Sequence, residues 1–115
     1  MQYLVRGEYV EENTAGKPIP DAISWIETVV HPSLELLEKA VQEKKATGGV
    51  IAGVREGVFI LEASSNEEVG NFLRGLPFWG ALKWSVFPLQ TFKSAVEQDK
   101  VAFQQARAMM AGGNR

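Results

Sequence analysis

The sequence predicts an α+β fold: one antiparallel four-stranded sheet, two main helices on one of its faces, and a further helix at the C-terminus. Three observations carry that prediction. Residues 2–11 and 81–87 alternate in the manner of strands. Two runs with three-to-four apolar spacing read as amphipathic helices. Between those helices, Glu56-Gly57 supplies a tight turn linking two short apolar segments.

Composition limits the function classes. A chain of 115 residues with 45% apolar content makes one domain, with a core that needs no metal or disulfide staple. Much of so small a domain stays wet, so any further apolar face favours self-association. Cysteine is absent, which excludes a disulfide scaffold, a thiolate metal site and a cysteine nucleophile, and fits a reducing compartment. The net charge is −2 with both signs interspersed, so no basic cluster offers a face to nucleic acid. The start, MQYLVRGEYVEE, has charges where a signal peptide needs an apolar stretch. No apolar run approaches the roughly 20 residues of a membrane span. A cytoplasmic protein with no membrane partner is expected.

In chain order, Tyr3, Val5, Gly7 and Tyr9 share one side of the first strand, and Leu4, Arg6, Glu8 and Val10 the other. Residues 12–20, with Gly16, Pro18 and Pro20, read as a loop. Asp21 is placed to cap a long helix through Ile26, Val30, Leu34, Leu37 and Val41. Pro32 cannot donate to the Thr28 carbonyl, so a kink near His31-Pro32 follows. Gly48-Gly49 then ends the helix. Residues 50–55 and 58–63 form the hairpin strands. Ser65 with Glu68, or Ser64 with Glu67, has capping-box spacing for a short helix that Gly75 ends. An apolar corner, Leu76-Pro77-Phe78-Trp79, leads into the last strand, which Pro88 closes. Thr91 caps a final helix with Phe92, Ala95, Val96, Ala102, Phe103, Ala106 and Met110 on one side, and residues 112–115 are expected to fray. This order, with right-handed crossovers, gives the ferredoxin-like βαββαβ plan with strand order 4-1-3-2.

Both sheet faces are apolar in part. Tyr3, Val5, Tyr9, Phe59, Leu61, Leu82, Trp84 and Val86 suit the helix side. The far side then carries Leu4, Val10, Val58, Ile60, Ala81 and Phe87 beside Arg6, Glu8, Glu62 and Lys83, with Arg6 near Glu62 and Glu8 near Lys83. Such a face suits sheet-on-sheet contact between two copies, the charges setting register. The plainer alternative is a lone sheet with one solvated side.

Leu73-Arg74-Gly75-Leu76-Pro77-Phe78-Trp79, followed by an alternating strand ending in Phe87-Pro88-Leu89, resembles the muconolactone isomerase-like branch of the dimeric α+β barrel proteins. The resemblance covers roughly residues 1–92. It implies a ferredoxin-like protomer that pairs through its sheet into a homodimer or higher oligomer. It also implies cofactor-free proton transfer on a small cyclic or aromatic metabolite held between sheet and helices. The longer loop before the first helix, Pro32 and the polar residues of the first strand depart from that enzyme, whose acid/base residues have no one-to-one match here.

For chemistry, His31 is the side chain whose ordinary pKa lies nearest neutrality, and Glu27 and Glu35 stand four residues to either side of it. On a continuous helix either carboxylate would orient the imidazole as a general base. The plainer alternative is a solvated charged stripe. Three ligands along one helix cannot close on one metal ion. Tyr3, Tyr9, Trp25, Phe72, Trp79 and Trp84 are candidates to line a pocket for a flat organic ligand, or they are simply core. Arg6, Glu8, Glu62 and Lys83 are an acid/base set or an interface register. The glycines lack the spacing and the lysine of a phosphate loop. Two classes of function remain: a cofactor-independent enzyme of isomerase or monooxygenase-like type, or a non-catalytic oligomer that binds a small molecule.

Overall fold

A computed structural model describes residues 1–10 and 16–113. The elements are β1 (Gln2–Tyr9), α1 (Ile19–Trp25), a π-helical segment (Ile26–Val30), α2 (His31–Gln42), β2 (Ala46–Val50), β3 (Glu56–Glu62), α3 (Asn66–Arg74), a 3-10 turn (Trp79–Ala81), β4 (Leu82–Leu89) and α4 (Phe92–Gly113). The strands form one antiparallel sheet in the order β2-β3-β1-β4, which is the expected ferredoxin-like arrangement. Tyr3, Val5, Phe59 and Leu61 form the sheet's half of the core, facing Ala40, Val69 and Leu73 from the helices. Val86 shares their side of the sheet but is 39% exposed.

Prolines set the course of the first helical region. The helix starts at Ile19 with Pro18 as its cap, earlier than the expected cap at Asp21. Pro20 in the first turn explains this, because its fixed φ and missing N–H suit a position whose N–H needs no helical partner. Residue 11 of the expected first strand and residues 12–15 of the expected loop lie outside the described residues. The break near Pro32 is present as the π-helical segment, where the His31 N–H reaches back to the Ile26 carbonyl. Ser33 Oγ then donates to the Val29 carbonyl at 2.8 Å and accepts the Phe78 N–H at 2.9 Å. One fully buried hydroxyl thus ties the helix to the apolar corner. Ser33→Ala is expected to cost about 1–3 kcal/mol, the desolvation of the orphaned Phe78 N–H, as a urea melt would read.

Sequence placed the hairpin several residues late. α2 ends at Gln42, and Lys44 takes φ +59 in place of a glycine. The Lys45 N–H reaches the Ala40 carbonyl at 2.8 Å and the Lys44 N–H reaches the Val41 carbonyl at 3.0 Å, a Schellman closure. Gly48 and Gly49 are therefore strand residues of β2 and do not end the helix. Glu56-Gly57 is no turn either, since both residues pair with β1 inside β3. The reversal is at residues 51–55, where Gly53 has φ +83. β4 runs on through Pro88, contrary to expectation. It is an edge strand, so the missing N–H faces no neighbour. Ala81 lies buried in the 3-10 turn before it, not on the open sheet face.

The N-terminus of α3 is closed by its serines. Ser65 Oγ accepts the Glu68 N–H at 3.2 Å, while the Glu68 carboxylate accepts the Ser64 N–H at 2.8 Å and the Ser64 hydroxyl. Those bonds hold the Glu68 carboxyl below its ordinary pKa, with Lys45 adding a smaller pull. The fold thus favours the charged form, and its contribution is complete above the unfolded carboxylate's pKa and lost as pH falls through the lower, folded value. In an acid titration followed by NMR, the Ser64 amide is expected to shift at lower pH than the signals of solvent-exposed glutamates.

Thr91 caps α4 as expected, with the Ser94 N–H donating to its Oγ1 at 3.0 Å. The helix continues through Gly112 and Gly113, where fraying was expected, and Asn114 and Arg115 lie outside the described residues. Among the described residues it makes no extensive contact with another element and projects outward, stretching the molecule to 78 Å by 31 Å by 26 Å. No described helix is long and apolar enough to cross a membrane.

Candidate functional site: a glycine-floored cavity between helix and sheet

The sheet leaves a trough on its helix side because side chains are missing there. Gly7 and Gly57 face each other directly across β1 and β3, flanked in the same row by Val50 and Trp84. α2 bridges this row without filling it, and a cavity of about 540 Å³ results. Ile26, Val30, Leu34, Leu37 and Val41 form its helix wall, and Phe59, Phe78, Leu82 and Trp84 the opposite one. That size and apolar lining suit one small organic molecule.

Trp84 is held over the trough. A Cβ placed on Gly7 would come within 2.7 Å of Trp84 Cζ3 and 2.9 Å of Leu82 Cδ2, so only glycine lets the indole lie there. The indole Nε1 donates to the Trp79 carbonyl at 2.9 Å, and its ring meets Phe78 edge-on at 6.1 Å. Polar groups are few. Tyr9 lines the cavity, and its hydroxyl is buried with no hydrogen-bond partner among the described residues. The Arg55 guanidinium stands 5.7 Å from the Tyr9 ring centre. Glu38 also lines the cavity and makes no ion pair among the described residues, whereas the Glu56 carboxylate is engaged by Arg6. A buried phenol without a partner among the described residues is the polar group beside this cavity most in need of explanation.

The aromatic set divides. Tyr9 and Trp84 line the cavity. Tyr3 is core, its hydroxyl donating to Asn66 Oδ1 at 3.1 Å. Phe72 lines a shallower hollow between α2 and α3 and stacks edge-on against Phe59 at 6.4 Å. Trp25 packs against the core with a buried Nε1 that has no partner among the described residues and with Lys17 4.8 Å over its ring, away from the cavity lining. Trp79 is exposed beneath Arg74. His31, Glu27 and Glu35 all lie on the wet side of the helical region, and none lines the cavity.

The sheet charges also separate. Arg6 pairs with Glu56, not with Glu62 as expected. Glu62 accepts from Gln2 Nε2 at 2.7 Å and lies 4.0 Å from the N-terminal amine. Glu8 does stand opposite Lys83. Among the described residues no group of three or more histidines, aspartates or glutamates converges as metal ligands would.

Sequence reasoning missed the glycine row and Glu38. The available signal was glycine inside strands, which marks a bulge or a close approach. Glu38 gave none, since one more glutamate on a wet helix face looks like its neighbours.

No family model and no curated protein matches the chain. Among solved structures it resembles 5-chloro-2-hydroxyhydroquinone dehydrochlorinase (TftG) from Burkholderia phenoliruptrix, in complex with 2,5-dihydroxybenzoquinone, with a TM-score of 0.53 and 21% identity over 81% of this chain and 97% of that one. At that identity the likeness shows the fold alone, the ferredoxin-like arrangement of sheet and helices.

Proposed function

We propose that this chain is a cofactor-independent enzyme of muconolactone isomerase-like type, which moves a proton on a small, flat cyclic metabolite bound in the glycine-floored cavity. The observation that carries this reading is an apolar cavity of about 540 Å³ lined by Tyr9, whose buried hydroxyl has no hydrogen-bond partner among the described residues. Tyr9 donates to a carbonyl of the substrate and stabilises charge that develops there. Glu38 takes and returns the proton from the cavity wall, replacing the His31 row expected from sequence. Arg55 draws an anionic substituent towards the mouth. That the similar fold of TftG is in complex with a dihydroxybenzoquinone supports a ligand of this class. The protomer works as a dimer closed through the open sheet face.

Two measurements test the reading. Calorimetry with 2,5-dihydroxybenzoquinone is expected to show binding that Tyr9→Phe weakens about tenfold, the loss of one hydrogen bond. Deuterium exchange into muconolactone in heavy water is expected to fall about 10²–10⁴-fold in Glu38→Gln and to persist in His31→Ala. The reverse pattern would move the proton carrier to the histidine row. Binding without exchange would leave a small-molecule carrier, a reading favoured by the scarcity of polar groups in the wall.

A further inference from the structure

The cavity mouth and α4 are each unfinished, and they match. Ile26, Leu34, Val41, Val50 and Val54 ring the mouth and are between 36% and 59% exposed. Beyond its helix edge α2 and the π-helical segment carry exposed Glu27 and Glu35, eight residues apart, or about 12 Å along a helix. The far edge, at the turn after β2, carries no acidic side chain before Glu56.

α4 has the complementary pattern. Phe92, Val96, Phe103 and Met110, with Ala95, Ala102, Ala106 and Met109, occupy one arc of the helix, and all but Ala95 are exposed. Asp99 is the charge inside that arc. Beside it runs a basic row, Lys93, Lys100 and Arg107, at seven-residue intervals of about 10.5 Å. On the other flank stand Gln98 and Gln105. An amphipathic helix of 22 residues, about 33 Å long, does not stay folded alone in water on propensity of this kind; packing of its apolar face is what stabilises it. Among the described residues its own protomer supplies no extensive packing of that face.

We propose that α4 of a second copy lies across the cavity mouth, its apolar arc on the Ile26-Leu34-Val41 edge and the Val50-Val54 edge, with its basic row facing Glu27 and Glu35. The arm thereby roofs the site, excluding water from the apolar cavity, and each site becomes complete only when a neighbour contributes its tail. A small substrate thus enters before the arm seats or by its lifting. The contact rests on the cavity's being the functional site only for its purpose, not for its geometry.

The absence of native cysteine makes the test direct. Leu34→Cys in one full-length preparation and Phe103→Cys in another, distinguished by mass tags, are mixed under mild oxidation. The expected product is the mixed disulfide, in at least tenfold excess over either same-variant dimer. Adding Lys93→Glu, Lys100→Glu and Arg107→Glu to the Phe103→Cys chain should abolish it. Pairing that chain with a Leu34→Cys chain that also carries Glu27→Lys and Glu35→Lys should restore it. Circular dichroism confirms that each variant folds. A dominant Phe103–Phe103 product means that α4 pairs with itself. A dominant product with Ile60→Cys means that it covers the open sheet face. Either result, or no mixed product at all, overturns the proposal. The crosslink reads contact without substrate, so its failure is distinguishable from a failure of the binding or exchange measurements.

Discussion

Gly48→Ala is expected to destabilise the fold by about 3 kcal/mol or more, a large part of what a domain of this size possesses. Gly48 has φ +152, which an L side chain rarely adopts. A Cβ there would lie 2.2 Å from the Val58 carbonyl oxygen and 2.5 Å from Phe59 Cα, both backbone atoms of the paired strand. Neither can move without opening the β2–β3 ladder. Gly49 next to it is the control, because a Cβ there meets nothing within 4 Å. Gly49→Ala should stay within about 1 kcal/mol of the parent. Urea melts of the two variants decide the matter, and equal midpoints would remove the steric argument. A steep loss at Gly48 alone would also show that β2 is held in the register that shapes the cavity rim.

Ile60→Asp should convert the proposed dimer into a monomer at micromolar concentration, as light scattering would show. Ile60 lies on the open face of the sheet, opposite Leu4 on β1 and Thr47 on β2. Leu4, Val58 and Ile60 are half-buried there, and Phe87 is 53% exposed, with no described element covering them. In a two-fold interface the substituted residue enters twice, so two carboxylates would be desolvated without partners. Each costs several kcal/mol, enough to weaken association by well over a hundredfold. Since the residue is on the side away from the core, the circular dichroism spectrum should be unchanged. A dimer that survives Ile60→Asp would mean that the copies meet elsewhere, and the α4 contact would be the first alternative.

How far the site was legible varied with the kind of signal. Strand alternation assigns Trp84 and Tyr9 to the helix side of the sheet, and both line the cavity there. His31 stands out in the sequence as the single histidine, and it is exposed beside Glu27 and Glu35 on the wet side of the helical region. Ser33 looked like an ordinary helix serine. Its role appears only when the corner residue Phe78 is brought to it from 45 residues along the chain.

Local patterns in the chain were enough for the element order, the strand order, the two capping serine and threonine sites and the apolar arc of α4. Each depends on periodicity or on contacts within a few residues, where backbone stereochemistry leaves a short menu. The three-dimensional fold alone decided where the hairpin turns, which glycines floor a cavity, and that Glu38 faces it. Those outcomes depend on register between distant segments. A glycine reads the same in a turn, a helix cap or a strand until its cross-strand neighbour is known, and here Gly57 opposite Gly7 is what makes the hole.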